Sequence, residues 1–257
     1  MEASSQARSA TAPFDPAAAA RALLQARAAR ACVPWRAVAP GSVAQAHAVQ
    51  DATAAVLGIG GWKVGAPAPE AEPHCAPLPP AGLLPSGAAL GHGWSLRGIA
   101  VEVALRLGRD LVAAELPARA TLQAAVEAVL PAVEVVETRL ADWRDSLPLA
   151  QLADLQSHGA LVLGAPARLR PCDLDLRRLV AYLAFDGQPV ASARGAHPVG
   201  DVWQLLGWLA VHCTRRGLPL RAGQVVTTGS CSGLLFAPEG AKVDAELRGV
   251  GRVGLRF

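Results

Sequence analysis

The amino-acid sequence predicts a mixed α and β protein in which a helical N-terminal region precedes one strand-rich main domain. The first observation is the Ala-rich stretch after Asp15 and Pro16, a favoured N-cap followed by a favoured first helical residue. The second is a series of short segments rich in β-branched residues. The third is the length of 257 residues, near the upper end for one domain. We therefore divide the chain into residues 1–57, a tail with helices, and residues 58–257, the main domain.

Four helices are predicted. The first follows a frayed tail of residues 1–15 and extends to Arg30, and the second spans about residues 42–57. A short amphipathic helix is predicted over residues 121–130, with Thr121 as its N-cap. The fourth spans residues 201–216, where apolar residues recur at helical spacing up to a terminal glycine.

Strands are predicted where apolar and β-branched residues are dense. These segments are residues 99–107, 131–143, 160–163, 176–190 with a turn at Asp186-Gly187, 224–230 and 243–257. Residues 66–91, rich in Pro, Ala and Gly, are instead predicted to form a long loop, which could bring His74 and Cys75 near a pocket. Polar residues 154–158 precede the strand at 160–163, a position that often lines a site, with an ordinary turn as the alternative for His158.

Composition and charge narrow the range of functions. A net charge of +3 without a dense run of Lys and Arg argues against binding to a nucleic-acid backbone. No window suits a membrane span, and residues 1–16 lack the apolar core of a secretory signal. The five scattered cysteines, without a CxxC pair, indicate neither a disulfide framework nor a zinc knuckle. We therefore expect a cytoplasmic protein without nucleic-acid or membrane partners.

Two glutamates are the candidate ligands in the predicted strands. In the segment 131–143 the β-branched neighbours of Glu134 predict a buried strand. A buried carboxylate needs a cation or good hydrogen-bond donors to offset its desolvation. Glu102 shares a strand face with Ala100 and Ala104, whose small side chains leave room around the carboxylate. For both glutamates the alternative is a solvated strand face.

Lysine is scarce in this chain, since only Lys63 and Lys242 occur among 24 basic residues. Lys63 lies in Gly61-Trp-Lys-Val-Gly65, where apolar residues and glycines predict a tight pocket that a ligand can approach closely. The alternative is an exposed lysine on an edge strand. A Schiff base on Lys63 is less favoured, because only apolar neighbours would activate the amine. A nucleophilic Cys231 lacks a His/Asn pattern, and a buried inert thiol is favoured.

A succession of motifs resembles one known family. The motifs are Gly61-Trp-Lys-Val-Gly65, Glu102-Val-Ala-Leu-Arg-Leu-Gly-Arg-Asp-Leu111, Pro131-Ala-Val-Glu-Val-Val-Glu-Thr-Arg139 with Ala141-Asp-Trp143, Gly159-Ala-Leu-Val-Leu-Gly164, Leu220-Arg-Ala-Gly223, Thr228-Gly-Ser230 and Gly251-Arg-Val-Gly-Leu-Arg-Phe257. Their order and spacing resemble the 2-keto-4-pentenoate hydratase/4-oxalocrotonate decarboxylase family, which belongs to the fumarylacetoacetate hydrolase superfamily.

The resemblance implies an α+β fold with a mixed, strongly curved, barrel-like β-sheet, flanking helices and homo-oligomeric assembly. It also implies a Mg²⁺ or Mn²⁺ site built from three carboxylates. The implied substrate is a small 2-hydroxy-2,4-dienoate or 2-oxo acid, as in the degradation of aromatic compounds. The metal would hold the substrate carboxylate and the adjacent 2-oxo oxygen and act as a Lewis acid. Hydratases then add water to the distal double bond, whereas decarboxylases release carbon dioxide.

The resemblance assigns roles to five residues. Glu102 and Glu134 correspond to metal ligands, and Lys63 corresponds to a pocket lysine suited to proton transfer or anion binding. Lys63 and Glu134 are therefore the predicted catalytic residues. Ser157 and Ser230 fall in polar segments that line the pocket, so with Lys63 they are the predicted substrate-binding residues.

Three departures from the family pattern fall inside these motifs. Ala100 stands where the family has the first Glu of Glu-x-Glu, and the loss of an anionic ligand should weaken the binding of a hard cation. Ala66-Pro67 replaces the usual Thr-Ser after Gly65. Leu155-Gln156 and His158 stand where the family tends to have Asn, Ala and a small residue.

The sequence leaves three functions open. The retained Lys63, Glu102 and Glu134 favour a metal-dependent hydratase with a two-carboxylate site. Ala100 favours a catalytically impaired or metal-free relative that binds an oxo acid or serves as an accessory subunit in a complex with a paralogous enzyme. A 2-oxo acid decarboxylase of the same family is the third.

Overall fold

The computed structural model describes residues 13–257 of the chain. These residues form helices α1 (Pro16–Ala29), α2 (Val43–Leu57), α3 (Arg119–Ala125), α4 (Pro148–Ala153) and α5 (Val202–Arg215). The longer strands are β2 (Gly61–Gly65), β3 (His74–Leu78), β6 (Gly98–Leu107), β7 (Val126–Val136), β9 (His158–Leu163), β10 (Val180–Phe185), β11 (Gln188–Arg194), β12 (Val225–Ser230), β14 (Lys242–Leu247) and β15 (Gly251–Arg256). The shorter strands are β1 (Val33–Pro34), β4 (Leu83–Pro85), β5 (Ala88–Ala89), β8 (Leu140–Ala141) and β13 (Leu235–Phe236).

Side-chain caps fix the starts of the three long helices. The Asp15 carboxylate accepts hydrogen bonds from the first amides of α1, the Ser42 hydroxyl caps α2, and the Asp201 carboxylate caps α5. These caps satisfy amide groups that have no partner inside the helix. The long helices are therefore confirmed, whereas residues 1–12 of the predicted tail lie outside the described residues. Within residues 13–257, no helix has both the length and the apolar character needed to cross a bilayer.

Three predicted elements differ in the structure. The strand predicted over residues 131–143 ends at Val136, and Trp143 begins a short 3-10 turn. The short helix α3 begins at Arg119, and β7 already begins at Val126, so the prediction of a helix over residues 121–130 capped by Thr121 is wrong. Residues 126–130 join the strand because they pair with β6, and that tertiary pairing overrides local helix propensity. The predicted loop 66–91 contains the strands β3, β4 and β5. Short strands and prolines are typical of sheet edges, and both weaken the sequence signal for these strands.

The main sheet is mixed and strongly curved, as predicted. Its strand order is β3-β2-β12-β6-β7-β9-β4, with β13 also paired to β6. The pairs β2–β12 and β4–β9 are parallel and the other pairs are antiparallel. A second sheet has the order β11-β10-β14-β15-β5. The long pair β6–β7 lies at the centre of the main sheet, away from the solvent-exposed sheet edges.

The core lies on one face of the main sheet. Helix α5 packs its apolar stripe there, and alternate residues of β6 and β7 point into the same core. Fully buried members include Leu205, Leu206, Leu209, Val101 and Val133. Burial of such a side chain contributes roughly 1.5–3 kcal/mol. Because side chains alternate along a strand, the intervening residues of β6 and β7 point to the opposite face.

The N-terminal helices form a second apolar cluster that is separate from the main core cluster. Helices α1 and α2 share a second apolar cluster with Leu140 and with α4. Strand β1 also pairs in parallel with β8, which lies shortly after β7. The N-terminal region is therefore attached to the segment that follows the central strands.

The two glycines of β2 provide a matched test of the close pairing between β2 and β12. A Cβ atom at Gly61 would lie 2.2 Å from the Val225 carbonyl oxygen, whereas a Cβ at Gly65 would meet nothing within 4 Å. We expect Gly61→Ala to lower the free energy of unfolding by about 2–3 kcal/mol through overpacking. Gly65→Ala should change it by no more than about 0.5 kcal/mol. Urea denaturation measures both, and equal effects would contradict the close approach of these two strands.

Candidate active site

Strand register brings the two predicted glutamates together. In the antiparallel pair of β6 and β7, Ala100 lies opposite Glu134, and Glu102 lies opposite Ala132. Directly paired residues project to the same face of a sheet, so both carboxylates and the Ala100 methyl group share one face. Glu102 and Glu134 are only 3% and 4% exposed, which excludes the solvated strand face as the interpretation of either residue.

Lys63 reaches the same face from β2. It is aligned with Thr227 of β12, and Thr227 is in turn paired with Ala104 of β6. Because β2 lies between β3 and β12, the interpretation of Lys63 as an edge-strand lysine is wrong. The Lys63 Nζ atom lies 2.5 Å from Glu134 Oε1 and donates a second hydrogen bond to the Gln156 carbonyl oxygen at 3.1 Å. The structure therefore brings Lys63, Glu102 and Glu134 together.

The two carboxylates differ in their electrostatic environment. Burial raises the pKa of Glu102 to about 8, and the nearby Glu134 charge adds to the effect. A Gly229 amide donates to Glu102 Oε2 at 3.3 Å. Burial also acts to raise the pKa of Glu134, but Lys63 and His158 outweigh it and lower that pKa to about 2. Lys63 thus pairs with the ionised Glu134, whereas Glu102, which has no ion-pair partner among residues 13–257, is largely protonated near pH 7.

His158 lies beside the Glu134 carboxylate. It is fully buried as the first residue of β9, and its Nδ1 atom lies 3.5 Å from Glu134 Oε1. Burial lowers the pKa of His158 to about 4, although Glu134 opposes this shift. His158 is therefore neutral near pH 7. The prediction of an ordinary turn residue is wrong, because this histidine is a buried neighbour of a candidate ligand.

A left-handed turn presents the Gln156 carbonyl to Lys63. Leu155, Gln156 and Ser157 have φ values of 50°, 52° and 56°. Residues other than glycine rarely adopt this left-handed region of backbone conformation. Backbone strain of this kind often occurs at functional sites. The turn lies between α4 and β9, so it lies at the edge of the candidate site.

A buried ion pair holds both ends of this turn. Arg139 Nε donates to Asp154 Oδ1 at 2.6 Å, and both side chains are at most 6% exposed. The same guanidinium donates to the Asp154 carbonyl at 2.9 Å and to the His158 carbonyl at 2.9 Å. Residues 154 and 158 flank the left-handed turn. Arg139 is therefore a positioning residue for the Gln156 carbonyl.

Lys63, Glu102 and Glu134 line a cavity of about 460 Å³. Polar side chains, including His74 and Ser157, line the cavity together with the charged groups, and apolar side chains line much of the rest. The apolar lining includes Val136, Trp143, Pro148, Leu149, Leu152 and Leu234. Such a cavity suits a small molecule that has one anionic end and one hydrocarbon end.

The two predicted serines have different positions. Ser157 lines the cavity, and its hydroxyl accepts a hydrogen bond from Trp143 Nε1 at 2.9 Å. Ser230 is not among the residues that line the cavity, although its neighbour Gly229 is. The Ser230 hydroxyl instead donates to the Gly233 carbonyl at 2.8 Å within its own turn. The structure therefore places Ser157 in the cavity, whereas Ser230, although paired with Glu102 across β12 and β6, directs its hydroxyl into its own turn.

Several residues of the site were not predicted from the sequence. Arg139 and Trp143 lie inside the quoted motifs without an assigned role, and Asp154 lies just before the left-handed turn. The signal for Asp154 is the cluster of polar residues before the strand at 160–163. His74 lines the cavity from β3, so the expectation that residues 66–91 could bring it near a pocket is confirmed.

A larger concave surface of about 810 Å³ lies over the second sheet. Its charged residues form exposed pairs with one another, such as Lys242 with Asp244 and Arg252 with Glu246. It contains no buried carboxylate. The smaller cavity is therefore the better candidate for chemistry, because desolvated groups of opposite charge converge only there among the described cavities.

Comparison with known proteins identifies the family. The profile of the family described as "Fumarylacetoacetate (FAA) hydrolase C-terminal" matches residues 43–257. The chain therefore belongs to the fumarylacetoacetate hydrolase family, and the resemblance found in the sequence is confirmed.

Curated relatives narrow the comparison. The chain is 34% identical over 159 residues to a 2-keto-4-pentenoate hydratase of Paraburkholderia xenovorans strain LB400. It is 31% identical over 156 residues to a 2-hydroxyhexa-2,4-dienoate hydratase of Comamonas testosteroni. These alignments cover 62% and 61% of this chain, respectively, and 58% of the length of each relative.

A solved structure shares the fold over nearly the whole chain. It is a 4-oxalocrotonate decarboxylase from Pseudomonas putida G7 complexed with magnesium and adipate, with a TM-score of 0.81 and 22% sequence identity. The superposition covers 94% of this chain and 97% of that one. The same decarboxylase was also solved with calcium and acetate. At this identity the likeness establishes the fold.

The donor set of the site fits a hard divalent cation. Glu102 and Glu134 offer carboxylate oxygens on one face, and Glu102 lacks a cationic partner within residues 13–257. Mg²⁺ is commonly held by one or two carboxylates, with water and substrate oxygens completing its coordination. Ala100 places a methyl group opposite Glu134, where a third carboxylate would complete the family pattern. The residues present therefore fit an ion with two protein ligands.

The support that Arg139 and Asp154 give to the turn can be tested with one substitution. We expect Asp154→Asn to lower the free energy of unfolding by about 3–5 kcal/mol, because it leaves the Arg139 charge buried without its partner. Asp173→Asn in the exposed pair with Arg170 is the matched control and should leave the free energy of unfolding nearly unchanged. Chemical denaturation at neutral pH measures both variants. A mild effect of Asp154→Asn would contradict the role given to this ion pair.

Proposed function

We propose that this protein is a divalent-metal-dependent hydratase that acts on a small 2-hydroxy-2,4-dienoate. The observation that carries the proposal is the convergence of Lys63, Glu102 and Glu134 at one end of a cavity with an apolar wall. The names of the curated relatives support this reaction class. Because their alignments cover 58% of each relative, the activity is a proposal for this chain.

The shape of the cavity matches such a substrate. The substrate carboxylate and its 2-hydroxyl group lie at the charged end, and the diene extends along the apolar wall near Trp143 and Leu234. Lys63 has three N–H donors, of which Glu134 and the Gln156 carbonyl accept two. The third remains for the anionic end of the substrate. The protein thereby fixes the orientation of the diene.

Hydration requires two proton movements and one molecule of water. The enol proton leaves the 2-hydroxyl group, a proton is added at the far end of the diene, and water adds across the remaining carbon–carbon double bond. Lys63 is the proton-transfer group in this proposal, and Glu134 together with the Gln156 carbonyl holds its ammonium in place. The buried position of the carboxylates keeps bulk water away from the charged end.

The proposed cofactor is Mg²⁺ or Mn²⁺, held by Glu102 and Glu134. When bound, it would supply Lewis-acid polarisation of the 2-oxo group. The buried Glu102 carboxyl has no cationic partner among residues 13–257, and a cation beside it would favour its ionised form, which supports a cation at this position. The magnesium and calcium complexes of the structurally similar decarboxylase also support a divalent cation as the cofactor.

A second candidate function rests on Ala100. With a methyl group opposite Glu134, the protein would bind the metal weakly or not at all. It would then be an accessory subunit or an oxo-acid-binding relative. A decarboxylase is the third candidate, since the same charged end would suit a 2-oxo acid that loses carbon dioxide. These candidates differ in their reactions, so they can be separated by assay.

We also propose the context in which the activity occurs. The proposed catalytic groups belong to residues 58–257, and residues 13–57, the described part of the N-terminal region, pack against the segment after β7. The five cysteines are all free, which fits a reducing cytoplasm. Homo-oligomeric assembly and a complex with a paralogous family enzyme are proposed from the resemblance.

The two lysines of the chain give a matched test of the catalytic role. We expect Lys63→Met to lower kcat/KM for hydration of 2-hydroxypenta-2,4-dienoate by about 100-fold or more, because it removes the proton-transfer group. Lys242→Met should leave kcat/KM unchanged, since Lys242 is exposed and pairs with Asp244. The assay follows the loss of dienoate absorbance and identifies the 4-hydroxy-2-oxo product by NMR. Full activity in Lys63→Met would contradict this role.

Carbon dioxide release from 4-oxalocrotonate is measured in parallel. Release without dienoate hydration would replace the hydratase proposal with the decarboxylase. A wild-type protein inactive in both assays would favour the accessory role.

Metal affinity tests the two-carboxylate site. We expect Mg²⁺ and Mn²⁺ to bind in calorimetry, with tighter binding when oxalate is present as a substrate-like chelator. Ala100→Glu should tighten binding by adding a third anionic ligand opposite Glu134, whereas Ala100→Gln adds similar volume without the charge and should not. No binding at millimolar metal would favour the metal-free alternative. Equal affinities of the two variants would contradict the position given to residue 100.

A further inference from the structure

A second group of potential metal ligands lies across the main sheet from the candidate active site. It contains His47 from α2, Cys75 from β3 and His212 from α5. Cys75 pairs with Val64, whereas the adjacent Ala76 pairs with Lys63. Neighbouring residues of a strand project to opposite faces, so Cys75 points away from Lys63. The two groups of ligands are therefore separated by the thickness of the sheet.

The three side chains form a compact and largely dry cluster. One ligand atom from each residue lies within 4.8 Å of the others. Cys75 is fully buried, and His47 is 8% exposed. The Nε2 atom of His47 is buried and has no hydrogen-bond partner. Since buried polar atoms are normally paired, this orphaned nitrogen points to a ligand.

Aromatic contacts fix the orientation of the second histidine. The His212 ring stacks on Trp208 with a centroid separation of 4.5 Å, and it meets His47 edge-on at 4.8 Å. Both histidines lie on long helices whose register is fixed by packing. The arrangement is therefore held by the fold and does not depend on a mobile loop.

The donor types select a particular class of metal. Two imidazoles and one thiolate suit Zn²⁺ and similar borderline ions, whereas the carboxylates of the active site suit Mg²⁺ or Mn²⁺. Tetrahedral zinc with these ligands requires donor separations of about 3.3–3.7 Å. Side-chain rotations that move the donor atoms by about 1 Å bring the cluster to that spacing. A fourth position remains for water or for the buried thiol of Cys213.

Charged neighbours favour the thiolate form of Cys75. Arg216 Nη1 lies 3.6 Å from Cys75 Sγ and 3.4 Å from His212 Nε2. The guanidinium also pairs with Asp51, whose negative charge offsets its positive charge. The thiolate is thus available to a cation, although Arg216 competes for it.

We propose that His47, Cys75 and His212 form a zinc-type site that is separate from the active site and joins α2, β3 and α5. Its role is structural, because its ligands come from three elements that are distant in sequence and meet only in the folded chain. Bound metal would stabilise the packing of α2 and α5 on the strand that carries His74 to the active-site cavity.

Cobalt titration tests the site directly. The full-length chain is stripped with a chelator, saturated with Mg²⁺ to occupy oxygen sites, and titrated with Co²⁺. We expect one equivalent to bind with a thiolate-to-cobalt charge-transfer band and the intense visible bands of four-coordinate cobalt. Zn²⁺ should then displace Co²⁺ and remove these bands. Absence of the charge-transfer band would overturn the proposal.

Two cysteine variants assign the band. We expect Cys75→Ser to abolish it and Cys231→Ser, which alters another buried free thiol, to retain it. A band that persists in Cys75→Ser or is lost in Cys231→Ser would overturn the assignment. Circular dichroism checks that the variants fold.

X-ray absorption of the zinc-loaded wild-type protein gives a test that needs no variant. We expect one sulfur at about 2.3 Å together with imidazole nitrogens at about 2.0–2.1 Å from zinc. A coordination shell made only of oxygen would overturn the proposal.

Discussion

Two buried carboxyl groups share one face of the main sheet with a single ammonium group, and this shortage of cations dominates the candidate site. Lys63 lies against Glu134, so Glu102 is left without a cation of its own. An isolated charge in a protein interior is expensive, so the Glu102 carboxyl is largely protonated at neutral pH unless a cation lies beside it. The chemistry proposed for the cavity follows from this arrangement more than from its shape.

A second buried charge pair supports the first. Arg139 and Asp154 hold both ends of the left-handed turn, the turn presents the Gln156 carbonyl, and that carbonyl accepts from Lys63. The strain of three consecutive non-glycine residues with positive φ is therefore held in place by one guanidinium. In this way a structural ion pair outside the cavity determines where the lysine ammonium lies.

Much of the fold could be predicted from sequence because caps and two-residue alternation are local signals, as at Asp15, Ser42 and the strand holding Glu102. The scarcity of lysine likewise identified Lys63. Register between strands is not local, so neither the pairing of Ala100 with Glu134 nor the absence of Ser230 from the cavity could be derived. Positive φ at Leu155–Ser157 carries no glycine signal. The boundary at residue 57 stays a prediction, as do the roles of the site residues.

The methyl group of Ala100 has an evolutionary consequence. Alanine codons ending in A or G become glutamate codons through a single base change at the second position. Its Cβ already lies across from Glu134 in an intact strand pair, so no rearrangement of the backbone separates the two states. With a codon that ends in A or G at residue 100, the third carboxylate is one nucleotide away, and laboratory selection could traverse that step in either direction within the same scaffold.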